Sequence, residues 1–289
     1  MKKKIISVIV GVVGLAAAYF VVSGISHIVY NRPVDNAATE STAETTEQGT
    51  EEAKAAMTED EINEMLAGMK ATEMAETATE EQSEVIPVKF EELQAVNPDI
   101  YAWITVPGTV IDYPILQHAS DNTYYLMHNI DGSYGYPGCV YTENMNSKDF
   151  TDNNTVIYGH NMKNGSMFAQ LHKFEDPDFF NENREVLIYL PDEVLHYTIF
   201  AAHIYDDRHL LYSFDFTDPE VYQKYLDSIF STRDMSANID KDVTVTADDQ
   251  IITLVTCIGS QPNNRLLVQA VLTDREPGAE AAQSATTTE

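Results

Sequence analysis

Between Ile86 and Thr273 the chain is built from short apolar runs separated by turn residues. The runs are Ala102–Val106, Val110–Leu116, Gly138–Tyr141, Thr155–Tyr158, Glu185–Leu190, Leu195–His203, Gln250–Thr256 and Arg265–Thr273. Each has the length and the Gly, Pro or Asn punctuation of a β-strand. Eight such runs with few long helical stripes predict a mainly β fold, an antiparallel-rich barrel or sandwich.

Three segments carry a helical pattern instead. Phe90, Leu93 and Val96 share one face before Asn97-Pro98 stops the turn. A second helix is expected over Ser166–Lys173. The clearest lies at 218–230, where Asp218 can cap, Pro219 suits the first turn, and Val221, Tyr222, Tyr225, Leu226, Ile229 and Phe230 form an apolar stripe.

The flanks are different in kind. Residues 1–30 open with Lys2, Lys3 and Lys4, then run uncharged for 21 residues from Ile5 to Ile25. That is enough helix to cross a hydrocarbon core of about 30 Å, and a cleaved signal peptide normally has a shorter apolar region. The expectation is a single-pass cell-membrane protein with a cytoplasmic N-terminus and the folded domain extracellular. Residues 31–85 hold 15 acidic residues against Arg32, Lys54 and Lys70. Such a segment buries too little apolar surface to fold, and reads as a disordered acidic stalk. Within it, Ile62, Met65, Leu66 and Met69 follow a possible capping box at Thr58 and Glu61, predicting a short helix, transient or partner-binding. Residues 274–289 read as a disordered tail, which leaves 86–273 as the folded domain.

Charge then narrows the function. With 17 Lys and Arg against 46 Asp and Glu, the net charge is −29, which argues against a nucleic-acid partner. Two cysteines, Cys139 and Cys257, exclude a disulfide scaffold and a four-cysteine zinc site. Cys139 lies on an apolar run and reads as a core residue.

Cys257 ends a buried strand and is followed by Gly259, Pro262 and Asn263-Asn264, with Arg265 opening the return strand. A thiol there is held rigidly yet stays reachable, as a nucleophile must be. A hairpin would bring the Arg265 guanidinium beside the sulfur, where it can stabilise a thiolate and orient an acyl oxygen. Spacing alone weighs this equally against a buried structural cysteine and a surface arginine. Among eight histidines, His160 follows an apolar strand and a glycine, at a strand-to-loop junction where it can serve as proton partner. His118, His128, His172, His196, His203 and His209 read as surface or structural.

These motifs together resemble the sortase family, the cysteine transpeptidases of Gram-positive bacteria. The resemblance rests on Tyr158-Gly159-His160-Asn161-Met162, on Thr253-Leu254-Val255-Thr256-Cys257, and on Arg265. It is closest to class B, through Asn97-Pro98-Asp99-Ile100, Trp103-Ile104, Asp112-Tyr113-Pro114-Ile115, Tyr124-Tyr125-Leu126 and the helix at 218–230. It implies an eight-stranded closed β-barrel with N-terminal helices and one extra helix before the penultimate strand.

It further implies that Cys257 attacks a C-terminal sorting motif of secreted proteins to form a thioacyl-enzyme, with His160 moving protons. Arg265 would bind substrate and support the oxyanion with the Ile258 N–H, while Thr256 and Tyr158 line the substrate. A peptidoglycan amine or its lipid-linked precursor would accept the acyl group, and the chemistry needs no metal or cofactor. A pilin-polymerising sortase, an L,D-transpeptidase, and a non-catalytic stalked domain with an inert Cys257 are the competing readings.

Overall fold

Residues 64–66, 68 and 86–278 are described by the computed structural model. The strands are β1 (Ile100–Thr105), β2 (Asp112–Leu116), β3 (Val140–Thr142), β4 (Asn154–Tyr158), β5 (Glu185–Tyr189), β6 (Glu193–Asp206), β7 (Asn238–Ile239), β8 (Ile251–Ile258) and β9 (Gln261–Pro277). They pair in the order β5-β1-β2-β3-β4-β8-β9-β6, and a further β5–β6 pairing closes the ring. The result is a closed eight-stranded barrel, with the two-residue β7 added on the outside of β6. Closure gives each of the eight barrel strands a partner on both sides. All eight predicted runs are strands. Two contacts are parallel, β2 with β3 and β4 with β8, and the others are antiparallel.

Alternation along the strands sorts apolar side chains into two cores. Ile104, Ile115, Ile157, Ile188, Leu195, Ile252, Leu254 and Val268 fill one cluster, which is the barrel interior. Their neighbours Trp103, Val156, Phe200, Ile251, Val255 and Leu267 belong to the other cluster, on the barrel's outer face.

Helices cover that outer face. α1 (Phe90–Val96) buries Phe90 and Leu93 and ends at Asn97, as the sequence predicts. Two short helices, α2 (Pro177–Glu182) and α3 (Leu210–Ser213), flank β5 and β6. α4 (Pro219–Phe230) buries Tyr222, Tyr225, Leu226 and Ile229, and the Asp218 carboxylate accepts from the N–H groups of Glu220 and Val221. This is the predicted extra helix before the penultimate barrel strand. The helix expected over Ser166–Lys173 is instead a 3-10 helix at Phe168–Glu175. Its start is displaced because Met167 takes φ 54°, outside helical space, while Ser166 N–H bonds the Asn164 side chain.

Some boundaries move as well. β9 continues through Asp274–Pro277, where the tail was expected to begin, because β6 reaches back to Glu193 and pairs with it. In the acidic segment, residues 64–66 and 68 are helical, and Leu66 is buried in the outer cluster with Met65 packed against it.

The expected membrane localisation is corrected. Among the described residues no helix is long and apolar enough to cross a membrane. The longest of them, α4, has 12 residues, or about 18 Å at the rise of an α-helix. The span expected at residues 5–25 lies outside the described residues, as do the rest of 1–30, most of 31–85, and the tail beyond 278.

Candidate active site

β8 lies between two different neighbours, parallel β4 and antiparallel β9. Seven of its eight residues are buried, and Cys257 is the exposed one. A strand fixed on both edges and both faces presents its one open side chain with little freedom.

On the β9 side the register pairs Cys257 directly with Arg265. Directly opposed residues project on the same face of a sheet, with Cβ atoms about 5 Å apart. The way the hairpin achieves this differs from the expectation. Gly259 and Ser260 alone form the turn, Ile258 pairs with Gln261, and Pro262–Asn264 are then accommodated as a bulge before the ladder resumes at Arg265. A bulge leaves main-chain carbonyls without ladder partners. Arg265 itself bonds two carbonyls of this stretch, its Nη1 donating to the Pro262 oxygen at 2.8 Å and the Asn264 oxygen at 2.9 Å. The guanidinium is thereby fixed over the end of the hairpin that carries the sulfur.

On the β4 side the parallel ladder ends with Tyr158 opposite Val255. The chain continues beside β8 all the same. Gly159 N–H donates to the Val255 oxygen at 3.1 Å, and the Thr256 hydroxyl donates to the Gly159 oxygen at 2.8 Å. Asn161 Nδ2 donates to the Cys257 oxygen at 2.9 Å. His160 therefore sits between two residues that are each bonded to the last turns of β8.

The His160 ring is oriented by Leu126, whose carbonyl oxygen is 2.7 Å from Nε2. A carbonyl only accepts, so Nε2 carries the proton and the lone pair of the neutral ring is on Nδ1. Burial holds the imidazole below its ordinary pKa, against a smaller opposing pull from the Leu126 bond. Tyr136 packs edge-on to this ring at 5.2 Å between centroids. Burial is the main cause that raises its phenol above the ordinary range.

The remaining sequence-predicted site residues are buried. Thr256, 2% exposed, ties β8 to Gly159 through its hydroxyl. Tyr158 stacks on Tyr141 at 5.3 Å in the outer core. Ile258 is packed in the barrel interior. Cys139 is buried and free, its Sγ 3.4 Å from the His128 oxygen, and burial pushes its thiol well above the ordinary range. Cys257 is free and exposed. Among the described residues, no three His, Cys, Asp or Glu side chains gather as a metal-binding group.

The sequence reading missed a histidine. His172, read as a surface or structural residue, places Nε2 3.1 Å from the Cys257 oxygen and Nδ1 2.8 Å from Glu175 Oε2. Nothing in its local sequence separates it from the other histidines, since the contact joins positions 85 residues apart. Asn161 was within reach of the sequence reading, because it directly follows His160 in the motif.

The sortase-domain family profile matches residues 104–273. The chain is 34% identical over 195 residues to sortase B of Listeria monocytogenes, covering 67% of this chain and 76% of that protein. Sortase B of Bacillus anthracis, solved in complex with AAEK1, superposes with a TM-score of 0.61 at 32% identity, covering 74% of this chain and 97% of that one. A class B sortase of Streptococcus pyogenes involved in pilus biogenesis superposes with a TM-score of 0.56 at 29% identity, covering 64% and 98%. With its closed eight-stranded barrel, its exposed strand-end cysteine and these relatives, the chain belongs to the sortase family, among the class B cysteine transpeptidases.

Proposed function

We propose that this transpeptidase cleaves a C-terminal sorting motif of secreted proteins and passes the acyl part to a cell-wall peptidoglycan amine. The observation that carries the reading is the two-sided register of β8, with Arg265 across from Cys257 and His160 held alongside by Gly159 and Asn161.

In the proposed sequence, Cys257 gives its proton to His160 and the thiolate attacks the carbonyl carbon of the scissile peptide. The Arg265 guanidinium faces the developing oxyanion and the substrate main chain. The imidazolium then protonates the departing nitrogen, the C–N bond breaks, and a thioacyl-enzyme remains. The incoming amine attacks the thioester carbonyl, loses a proton to His160, and expels the thiolate. With Nε2–H engaged by Leu126, Nδ1 is the nitrogen that takes each proton. Burial disfavours the imidazolium that the first proton transfer creates, so turnover is slow.

The test is a pentapeptide library incubated with the full chain and followed by mass spectrometry. We expect a thioacyl adduct on Cys257 with one motif class, released by added amine, and none with Cys257→Ala. Turnover by the alanine variant would end the assignment. The relative involved in pilus biogenesis favours a second reading, a pilin-polymerising sortase, whose acceptor would be a lysine amine of a pilin. A lysine-bearing pilin peptide and a cross-bridge peptide, competed for one preformed thioacyl-enzyme, decide between the two by which product accumulates.

A further inference from the structure

We infer that His172, held by Glu175, acts with Asn161 as a clamp on the Cys257 carbonyl and so positions the nucleophile. The inference rests on Cys257 being the nucleophile, as proposed above.

The need for a clamp follows from where the sheet stops. In a parallel ladder, acceptors on one strand are served by donors two residues apart on the next. Gly159 N–H serves the Val255 oxygen, so the next acceptor in line is the Cys257 oxygen. β4 has ended by then, and side chains take over. Asn161 Nδ2 lies 2.9 Å from the Cys257 oxygen and 3.0 Å from His172 Nε2, and His172 Nε2 lies 3.1 Å from the same oxygen. Three polar atoms form a near-equilateral triangle around one main-chain group.

The Asn161 amide orientation and the His172 Nδ1 proton in that triangle can be assigned. The Cys257 oxygen only accepts, so the Asn161 amide must present its nitrogen to it, not its oxygen. The Glu175 carboxylate accepts from His172 Nδ1, which keeps a proton on that nitrogen and fixes the ring plane. If the ring is neutral, its Nε2 lone pair accepts the second Asn161 proton, and His172 aims the amide that grips the carbonyl. If the ring is an imidazolium, Nε2–H donates to the carbonyl itself. Both states immobilise the oxygen, through different edges of the triangle.

Immobilising that oxygen fixes the plane of the 257–258 peptide, and with it the backbone angle that aims the Cys257 side chain. His172 comes from the 3-10 helix at Phe168–Glu175, which begins eight residues beyond His160. The same short stretch thus supplies the proposed base and the support of the nucleophile. His172 touches no reacting atom in this arrangement and is a positioning residue.

The test uses the full chain and the library pentapeptide that the parent turns over fastest, with kcat, KM and Tm read for His172→Ala, His172→Gln and Glu175→Gln. Misplacement of a reacting group by about 1 Å costs up to about 100-fold. For His172→Ala we expect kcat to fall about 10-fold or more with KM changed less than about twofold, as loss of orientation without loss of binding requires. His172→Gln keeps a nitrogen donor within reach and should recover part of kcat. Glu175→Gln, which loosens the ring, should fall between Gln and the parent. If His172→Ala is too unstable to assay, the two Gln variants carry the comparison against the parent. A kcat within about twofold of the parent in every variant overturns the clamp. So does a KM effect alone, or equal losses in the Ala and Gln variants. These results leave the catalytic reading intact as long as Cys257→Ala is inactive, whereas turnover by Cys257→Ala fails both.

Discussion

Gly159 is a glycine because its neighbour leaves no space for more. A Cβ built there would stand 2.5 Å from Cγ of Phe168 and 2.7 Å from its Cδ2, and Phe168 is fully buried. Phe168 N–H also donates to the His160 oxygen, so pushing this ring aside disturbs the histidine directly. Gly159→Ala should therefore cost about 1–3 kcal/mol, as overpacking does, and lower kcat with it. At Gly259, in the hairpin turn, nothing lies within 4 Å of the same built atom, so Gly259→Ala should stay within about 0.5 kcal/mol. Thermal melts and kcat on the two variants check the contrast. At Arg265, replacement by lysine keeps the charge and loses the planar fork that spans the bulge carbonyls and the sulfur side. We expect kcat/KM to fall by about 100-fold, in line with the loss of one oriented oxyanion donor. The placements of Cys257 at the end of β8 and of Arg265 across from it were legible, because each ends or opens an apolar run. His172 was not, because its meaning comes from a fold contact and its sequence context is ordinary.

The strands themselves were legible by alternation and length, and their pairing was not. A run such as Thr155–Tyr158 looks the same whether its neighbour is parallel or antiparallel, yet the parallel match of β4 to β8 is what carries Gly159 and Asn161, on either side of His160, alongside the end of β8. The bulge at Pro262–Asn264 was hidden for a similar reason: proline and two asparagines read as a loop, and only the β9 register turns them into an insertion within a strand. α4 was legible down to its cap, because capping is local chemistry. The Asp218 carboxylate serves two otherwise orphaned N–H groups at the start of a helix whose four buried side chains cover the outer core. Asp218→Ala should lower stability by about 1 kcal/mol. In a domain of this size that corresponds to about 2–4 °C in Tm. The Asp218 cap bonds residues of its own helix, so kcat should be unchanged. A matching loss of kcat would mean that α4 supports the site as well as the core.

For the molecule as a whole, acid separates two kinds of group. The net charge of −29 counts histidines as neutral, and most free carboxylates stay ionised between pH 7 and pH 5. Histidines titrate inside that interval. His203 is buried, its Nε2 3.0 Å from Gln269 Oε1 within a polar chain that continues to Tyr225 and Thr253. Burial lowers its pKa, and this outweighs the opposing pulls of the Gln269 bond, the Ile204 carbonyl and the Asp234 charge. His160 is lowered by burial in the same way. A base whose folded pKa lies below its unfolded value binds more protons when unfolded. Its contribution to stability is complete above the unfolded value of about 6.5 and is lost as pH falls through the folded one. Unfolding free energy should accordingly decline from pH 7 to pH 5, by at most about 1.4 kcal/mol per pH unit for each such site. Urea titrations at pH 7, 6 and 5 measure the slope, and His203→Gln should flatten it while leaving the His160 share. Asp206, Asp234 and Asp240 are held below their ordinary values by local hydrogen bonds, so their contribution persists in this window and fails only under stronger acid. A parent chain equally stable at pH 7 and pH 5, or a His203→Gln variant with the parent's slope, would show that His203 is solvated as it titrates. The polar chain through Gln269 would then have to open well before the barrel does.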